Sequence, residues 1–433
     1  MLLLNSCSHC GNTGPVAAIR FVDVTEQTGL KPGNNRAAWA DLDNDGWVDL
    51  VTDGRVWKNV RGEHFEAVSG TSEMEKYRGP CVIGDFNGDG FKDIYMIVKG
   101  GSLWLGRGDC SFTPGQADTN TAASVQAAAA ADLDNDGWVD IYVANYEIWQ
   151  KNLDFPDLIL RNDHGRLVRQ WTAPPEKQMR GRGVSCCDFN ADGKIDIYVS
   201  NYRLMPNFLW LNRGDWLLED VAREYGCAGS ERSGVKFKNS IGVEYRSSGH
   251  TIGSVWADFN NDGWFDLFVG NFSHPPVYQD RPQLLENGGP DKQYHFIDHS
   301  AAAAIPWQES YGSPAAADVD NDGFVDLFYT TCYQGDTGRM FRNRGEWNFA
   351  DVTPDCGINA VRTVQNAFAD FDNDGHIDLI TGGRLYRNIT AGGHWLEVVL
   401  TGRSPNTSAI GSVVTVECGG AGYVRQVEAG TGN

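Results

Sequence analysis

No run of apolar residues in this 433-residue chain reaches the roughly 20 needed to cross a bilayer as a helix. Basic residues are scarce beside acidic ones, 36 against 57, and the formal net charge is −21. A chain of that sign lacks the basic footprint of a nucleic-acid binder. The signatures of common enzyme classes are missing too: there is no nucleophile elbow, no zinc-type histidine pair and no glycine-rich phosphate loop. Cys7-Ser-His-Cys10 has no second half, so it does not complete a zinc site.

What the chain has is one nonapeptide, Asp-x-Asp/Asn-x-Asp-Gly-x-x-Asp, seven times over. Its oxygen-bearing positions are Asp41, Asp43, Asp45 and Asp49; Asp85, Asn87, Asp89 and Asp93; Asp132, Asp134, Asp136 and Asp140; Asp188, Asn190, Asp192 and Asp196; Asp258, Asn260, Asp262 and Asp266; Asp318, Asp320, Asp322 and Asp326; and Asp370, Asp372, Asp374 and Asp378. Successive copies start 44, 47, 56, 70, 60 and 52 residues apart, a spacing that marks a propeller or another repeat array.

Alternate oxygens at the first, third and fifth positions converge on a hard cation when the chain curls tightly, and the glycine at the sixth position permits the curl. A carbonyl near the seventh position and the last carboxylate complete the six to eight oxygen ligands that Ca²⁺ prefers, whereas Mg²⁺ wants a strict octahedron. The pattern therefore predicts up to seven Ca²⁺ ions. An EF-hand opens in the same way but needs a glutamate at its twelfth position and flanking helices, and neither follows here. The seven nonapeptides hold 25 aspartates and two lysines, Lys92 and Lys194, leaving 32 acidic against 34 basic residues elsewhere. Acidity confined to loops fits charge that a cation neutralises. The plain alternative is a set of Asp-Gly turns whose side chains cap their own backbone.

Short β-branched and aromatic runs such as Asp140-Ile-Tyr-Val-Ala144 follow each loop and read as strands. Small residues precede it, as in Ala127 to Ala131, and suit strands crowded round an axis. A Leu-Tyr-Arg-Asn-like third strand and a fourth ending in Asp-Val-Thr complete four strands per repeat, which is a propeller blade. The seventh repeat lacks a fourth strand, and residues 20–25 precede the first loop without a blade of their own. The expectation is an all-β, seven-bladed propeller over residues 19–390, with residues 20–25 closing the last blade. Residues 226–250 read as an insertion, either an extra hairpin on the partner-binding face or a solvated excursion with no role. Residues 391–433 read as a small β domain in which segments 394–400 and 410–417 pair.

The loops and the small-residue strands before them resemble the FG-GAP/VCBS repeats of integrin-α-like propellers. Trp395-Leu-Glu-Val, Asn406-Thr-Ser-Ala-Ile-Gly411 and Val424-Arg-Gln-Val-Glu-Ala-Gly430 resemble the start of an ASPIC/UnbV domain, cut short at Asn433. The combination is similar to the cartilage acidic protein family and its bacterial relatives. It implies an extracellular calcium-binding propeller with a role in adhesion or matrix interaction, and it carries the metal sites onto the first, third, fifth and ninth loop positions. Asn87, Asn190 and Asn260 depart from an all-carboxylate set and imply weaker sites where ligand charge dominates.

Ten cysteines point to an oxidising compartment, with Cys81–Cys110 and Cys332–Cys356 as candidate disulfides and Cys186 and Cys187 on opposite strand faces. Residues 1–18 begin with Met1-Leu-Leu-Leu-Asn-Ser-Cys7, which resembles the tail of a lipoprotein signal; Cys7 is the candidate anchor point. The location expected is secreted, extracellular or periplasmic, with surface anchoring as a variant. Two Arg-Gly-Asp triplets, at 107–109 and 213–215, fall where hairpin turns belong. The leading reading is a binding or adhesion scaffold for an extracellular protein or glycan. The competing reading is a polysaccharide-active enzyme, with Trp39, Trp47, Trp138 and Trp264 as sugar platforms and His250, His274, His295 and His299 as a candidate cluster.

Overall fold

A computed structural model describes residues 2–6, 18–33, 36–77, 79–118, 125–229, 236–246, 248–272, 281–306, 312–331, 335–361, 363–364 and 366–429. Seven antiparallel sheets of four strands follow one another, the third extended by Gln116–Ala117, and they form a seven-bladed β-propeller. Blade one is Ala37–Ala40, Asp49–Thr52, Arg55–Val60 and His64–Ala67, hydrogen-bonded in that order. The first strands of the other six are Cys81–Gly84, Val125–Ala131, Gly181–Cys187, Thr251–Ala257, Pro314–Ala317 and Asn366–Ala369.

First strands of neighbouring blades touch all the way round, including Ala37–Ala40 against Asn366–Ala369, so the ring is closed. The crowding explains their composition. A Cβ on Gly183 would stand 2.5 Å from the carbonyl oxygen of Ile252 in the next blade, which only a bare glycine avoids. Strand alternation sends successive residues to opposite neighbours. Ala128 and Ala130 pack towards Val82 and Tyr95 of blade two, while Ala127, Ala129 and Ala131 pack towards Val184 and Ile197 of blade four. Cys186 and Cys187 divide the same way, one into each flanking core.

The closing strand is Phe21–Asp23, which pairs antiparallel with Arg384–Asn388 in blade seven, with Phe21 opposite Asn388. Ring closure by a strand from the far end of the sequence leaves no open sheet edge between first and last blades. In blade five's approach, Lys236–Lys238 pairs with Glu244–Arg246 as a hairpin, and Ser240 N–H donates to Asp154 Oδ2 at 2.6 Å. Both Arg-Gly-Asp triplets are turns between third and fourth strands: Arg107 N–H donates to Ser111 O at 3.1 Å, and Arg213 N–H to Leu217 O at 2.9 Å.

Several expectations differ from the structure. Segments 394–400 and 410–417 do not pair with each other. His394–Val398 pairs with Leu2–Ser6, and Val413–Cys418 forms its own hairpin with Ala421–Gln426. Alternation told which residues share a face but not which strand lies alongside. Residues 2–6, read as part of a leader-like start, are therefore a strand; Cys7 lies outside the described residues. The C-terminal segment has a small apolar cluster of its own round Tyr423, Val414 and Val416, and it also sends Ile410 and Ala429 into the core between blades two and three and Val424 into that between blades four and five. Cys81 and Cys110 are free thiols in one buried cluster, and Cys356 is free as well. Its expected partner Cys332 lies outside the described residues.

Candidate metal centre

Each nonapeptide links the first and second strands of its blade. In the third copy Asp132 accepts two backbone N–H groups, from Asp136 at 3.1 Å and Gly137 at 2.9 Å, and Asp136 accepts that of Trp138 at 2.8 Å. Gly137 has φ 93° and Asn135 has φ 58°. Two left-handed residues in one loop make the curl, which is why glycine and asparagine occupy those positions. The first-position aspartate accepts the same pair of N–H groups in the other copies, for instance Asp41, Asp258 and Asp370.

The ninth-position aspartates, Asp49, Asp93, Asp140, Asp196, Asp266, Asp326 and Asp378, are all buried to within 1%. Asp140 accepts Leu133 N–H on Oδ2 at 3.0 Å and Asn162 N–H, from the third strand, on Oδ1 at 2.8 Å. The same two-sided brace holds Asp49, Asp93, Asp266, Asp326 and Asp378. Burial pushes the carboxyls of Asp49 and Asp93 up to about 7 and that of Asp140 up to about 8, against the pull of those N–H groups. Asp196, Asp266, Asp326 and Asp378 are also raised by burial. The ninth residue thus ties the loop to its blade as well as facing the acidic cluster.

One oxygen each from Asp41, Asp43 and Asp45 lies within 4.8 Å of the others, and so do those of Asp132, Asp134 and Asp136, of Asp370, Asp372 and Asp374, and of Asp318, Asp320 and Asp326. Asp43, Asp49 and Cys110 form a further such group. Where asparagine stands third, Asn87 and Asn260 donate to Asp89 and Asp262 at 2.9 Å. Asn190 Oδ1 accepts Asp192 N–H at 3.1 Å.

The donor set fits a hard dication. A basic side chain meets Oδ2 of Asp43, Asp320 and Asp372, yet Oδ1 of each is buried without a hydrogen-bond partner, an expensive state that a further cation would relieve. Burial also raises Asp132, Asp258 and Asp370 to about 6 and Asp320 to about 8, with neighbouring carboxylates adding to the rise. Carboxylates gathered this way repel one another, and a bound ion removes the repulsion.

Two sets of tying residues emerge beside the acidic positions. The third-strand asparagine of each blade except the second bonds the previous blade: Asn162 Nδ2 donates to Phe86 O and Asn212 Nδ2 to Leu133 O, each at 2.8 Å. The fourth loop position, left open in the sequence pattern, links neighbouring loops. Asn44, Asn135, Asn261, Asn321 and Asn373 donate to the sixth-position carbonyl of the next loop, at Gly90, Gly193, Gly323, Gly375 and Gly46, over 3.0–3.2 Å. Its sequence signal is asparagine at that place in five copies, against Gly88 and Ala191 in the others.

Among the described residues the candidate histidines do not gather. His250 packs edge-on against Tyr202, His295 stacks on Tyr225, and His299 stacks on Trp347 beside Glu286; His274 lies outside the described residues. The four candidate tryptophans contact other parts of the chain: Trp39 donates to Ala367 O of blade seven at 3.3 Å, Trp47 lies over Gly62, Trp138 lies against His164, and Trp264 lies against Tyr294.

The C-terminal segment crosses the loop-bearing face. Ser408 Oγ accepts Asp85 N–H at 3.0 Å and Lys92 Nζ at 2.7 Å, and the Thr407 hydroxyl donates to Asp85. A Cβ on Gly323 would meet Tyr423 at 2.9 Å, and one on Gly137 would meet Pro405 at 3.2 Å. Arg425, deeply enclosed, feels the charges of Asp318 and Asp258.

A closed ring of blades carrying one acidic loop each between first and second strands defines the FG-GAP type of propeller. Residues 85–143, 188–269, 258–329 and 318–381, more than half of the chain, match the FG-GAP-like repeat family, and the chain belongs to it. Cartilage acidic protein 1 of Xenopus tropicalis is 26% identical over 398 residues, covering 80% of this chain and 57% of its own. The human protein of that name is 24% identical over 398 residues, with 80% and 56% covered. The chain spans about half the length of these curated relatives. Among solved structures, an Agrocybe aegerita lectin that recognises non-reducing terminal N-acetylglucosamine is similar over 83% of this chain and 90% of its own, with 16% identity and a TM-score of 0.45.

Proposed function

We propose that the protein is a secreted calcium-binding propeller that acts as a binding or adhesion scaffold for an extracellular protein or glycan. The observation that carries the metal half is the set of buried, unpartnered Oδ1 atoms of Asp43, Asp320 and Asp372 inside carboxylate groups no wider than 4.8 Å. Calcium is the choice because every loop donor is an oxygen and Ca²⁺ accepts the irregular shells of roughly six to eight oxygens that such loops offer. Extracellular calcium is abundant enough to fill weak oxygen sites, which supports secretion, as does the likeness to cartilage acidic protein 1. The chain's C-terminal segment covers the loop face, so the partner surface is assigned to the opposite face. There the Glu244–Arg246 hairpin docks on Asp154, and Trp149, 60% exposed, lies 3.4 Å beneath the Arg203 guanidinium. Among the described residues His250, His295 and His299 each pack on a different aromatic ring, which favours the scaffold over the polysaccharide-active reading.

The experiment is a panel of matrix proteins and glycans probed with the purified chain in calcium and in chelator. Binding that disappears in chelator and weakens in Trp149→Ala supports the scaffold. Cleavage of any panel polysaccharide by the parent chain contradicts it.

A further inference from the structure

The residue just before the third-strand N–H that braces the ninth aspartate falls into two sets, and the sets track the third loop position. Beside Asp43, Asp134, Asp320 and Asp372 stand Lys58, Arg161, Arg342 and Arg387. Beside Asn87, Asn190 and Asn260 stand Leu105, Leu211 and Glu286. Every four-carboxylate loop has a basic side chain at this place, and no three-carboxylate loop has one.

The contacts show what the basic residue does. Lys58 bridges Asp43 and Asp45, the latter at 3.3 Å. Arg342 bridges Asp320 and Asp322, the latter at 2.9 Å, and Arg387 meets Asp372 Oδ2 at 2.7 Å. Arg161 acts on Asp134 by charge while its guanidinium holds Asp163 at 3.3 Å. In loops one, six and seven the basic group engages one oxygen of the third aspartate and leaves Oδ1 without a hydrogen bond. In the other set, Glu286 turns away to His299, Lys92 is held by Ser408, and Lys194 stands 3.5 Å from Asp192.

We propose that Lys58, Arg161, Arg342 and Arg387 are built-in counter-charges for the third carboxylate of their loops, so that no loop offers a cation more than three uncompensated negative charges. Two solutions reach the same limit: an aspartate with a basic neighbour, or an asparagine without one. The counter-charge holds the loop in shape before the ion arrives and moderates the affinity afterwards, since like carboxylates otherwise repel. The second effect rests on the calcium reading above; the first does not.

Loop six tests both, using Arg342→Leu, Asp320→Asn and the two combined, with leucine chosen because Leu105 and Leu211 occupy that place in other blades. Melting midpoints are measured in chelator and in excess calcium. In chelator, Arg342→Leu lowers the midpoint and the double variant recovers at least half of the loss, the signature of a coupled pair. In calcium, the upward shift is larger for Arg342→Leu than for the parent. A double variant in which the two losses simply add overturns the counter-charge. So does a calcium shift in Arg342→Leu no larger than the parent's where the parent itself responds. If calcium leaves the parent unmoved, the calcium reading fails while the chelator cycle still decides the pairing. Asp372 with Arg387 in loop seven repeats the test where the loop-six variant does not fold.

Discussion

At the scale of the residue, the ninth aspartate serves two demands at once. Asp140 is fully buried and both its oxygens accept backbone N–H groups. Asp140→Asn sets an amide N–H₂ against one of those donors, and the expected cost is roughly 1–3 kcal/mol, read by chemical denaturation. Titration follows from the same burial. Asp49, Asp93 and Asp140 have folded-state carboxyls raised from the usual 3.8 to about 7, 7 and 8, so the folded chain without an ion binds protons that the unfolded chain releases. Their contribution is fully present below the unfolded value and is lost as pH rises through the folded ones. In chelator the melting midpoint should therefore fall between about pH 5 and about pH 8, while calcium, which needs the deprotonated ligands, should counter the fall. A midpoint in chelator that rises over that range contradicts the burial account.

Between elements, the loops are joined to one another through the fourth position. Asn321→Gly keeps the positive φ but removes a buried side chain together with its amide bond to Gly375, so a loss of roughly 1–2 kcal/mol is expected in denaturant unfolding. Ala191, at φ 52°, breaks the chain of loop-to-loop bonds. Ala191→Asn offers both the missing donor and a better left-handed residue, and a gain of roughly 0.5–1 kcal/mol is expected from the same measurement. These ties show where the sequence was readable and where it was not. The acidic positions, the following strands and the third-strand asparagine announce themselves through residue type and local spacing. The partners of Asn44 or Asn373 do not, because the bond runs to a backbone carbonyl in another repeat, and a carbonyl leaves no mark on the sequence. The pairing of His394–Val398 with Leu2–Ser6 was hidden for a related reason: alternation fixes the face of a strand, whereas its neighbour is set by chain topology.

For the whole molecule, two distant segments finish what the repeats begin. Phe21–Asp23 closes blade seven, and the segment after Asn388 lies over the loop face, touching loops as far apart as Asp85 and Gly323. Removing residues 391–433 should lower the melting midpoint by several degrees, since it takes Ile410, Ala429 and Val424 out of the cores between blades and exposes the apolar residues they cover. Seven similar blades, six of them bonded to the previous one through an Asn162-type side chain, should melt together rather than blade by blade. Under the proposed calcium reading, an ion in each loop would stabilise the ring as a whole by mass action. The measurement that bears most directly on the account is bound calcium per chain by elemental analysis, with melting curves before and after chelation. The account predicts calcium approaching one ion for each of the seven loops and a midpoint that drops on chelation. A protein free of calcium, with an unchanged melt, would reduce the loops to Asp-Gly turns and contradict it.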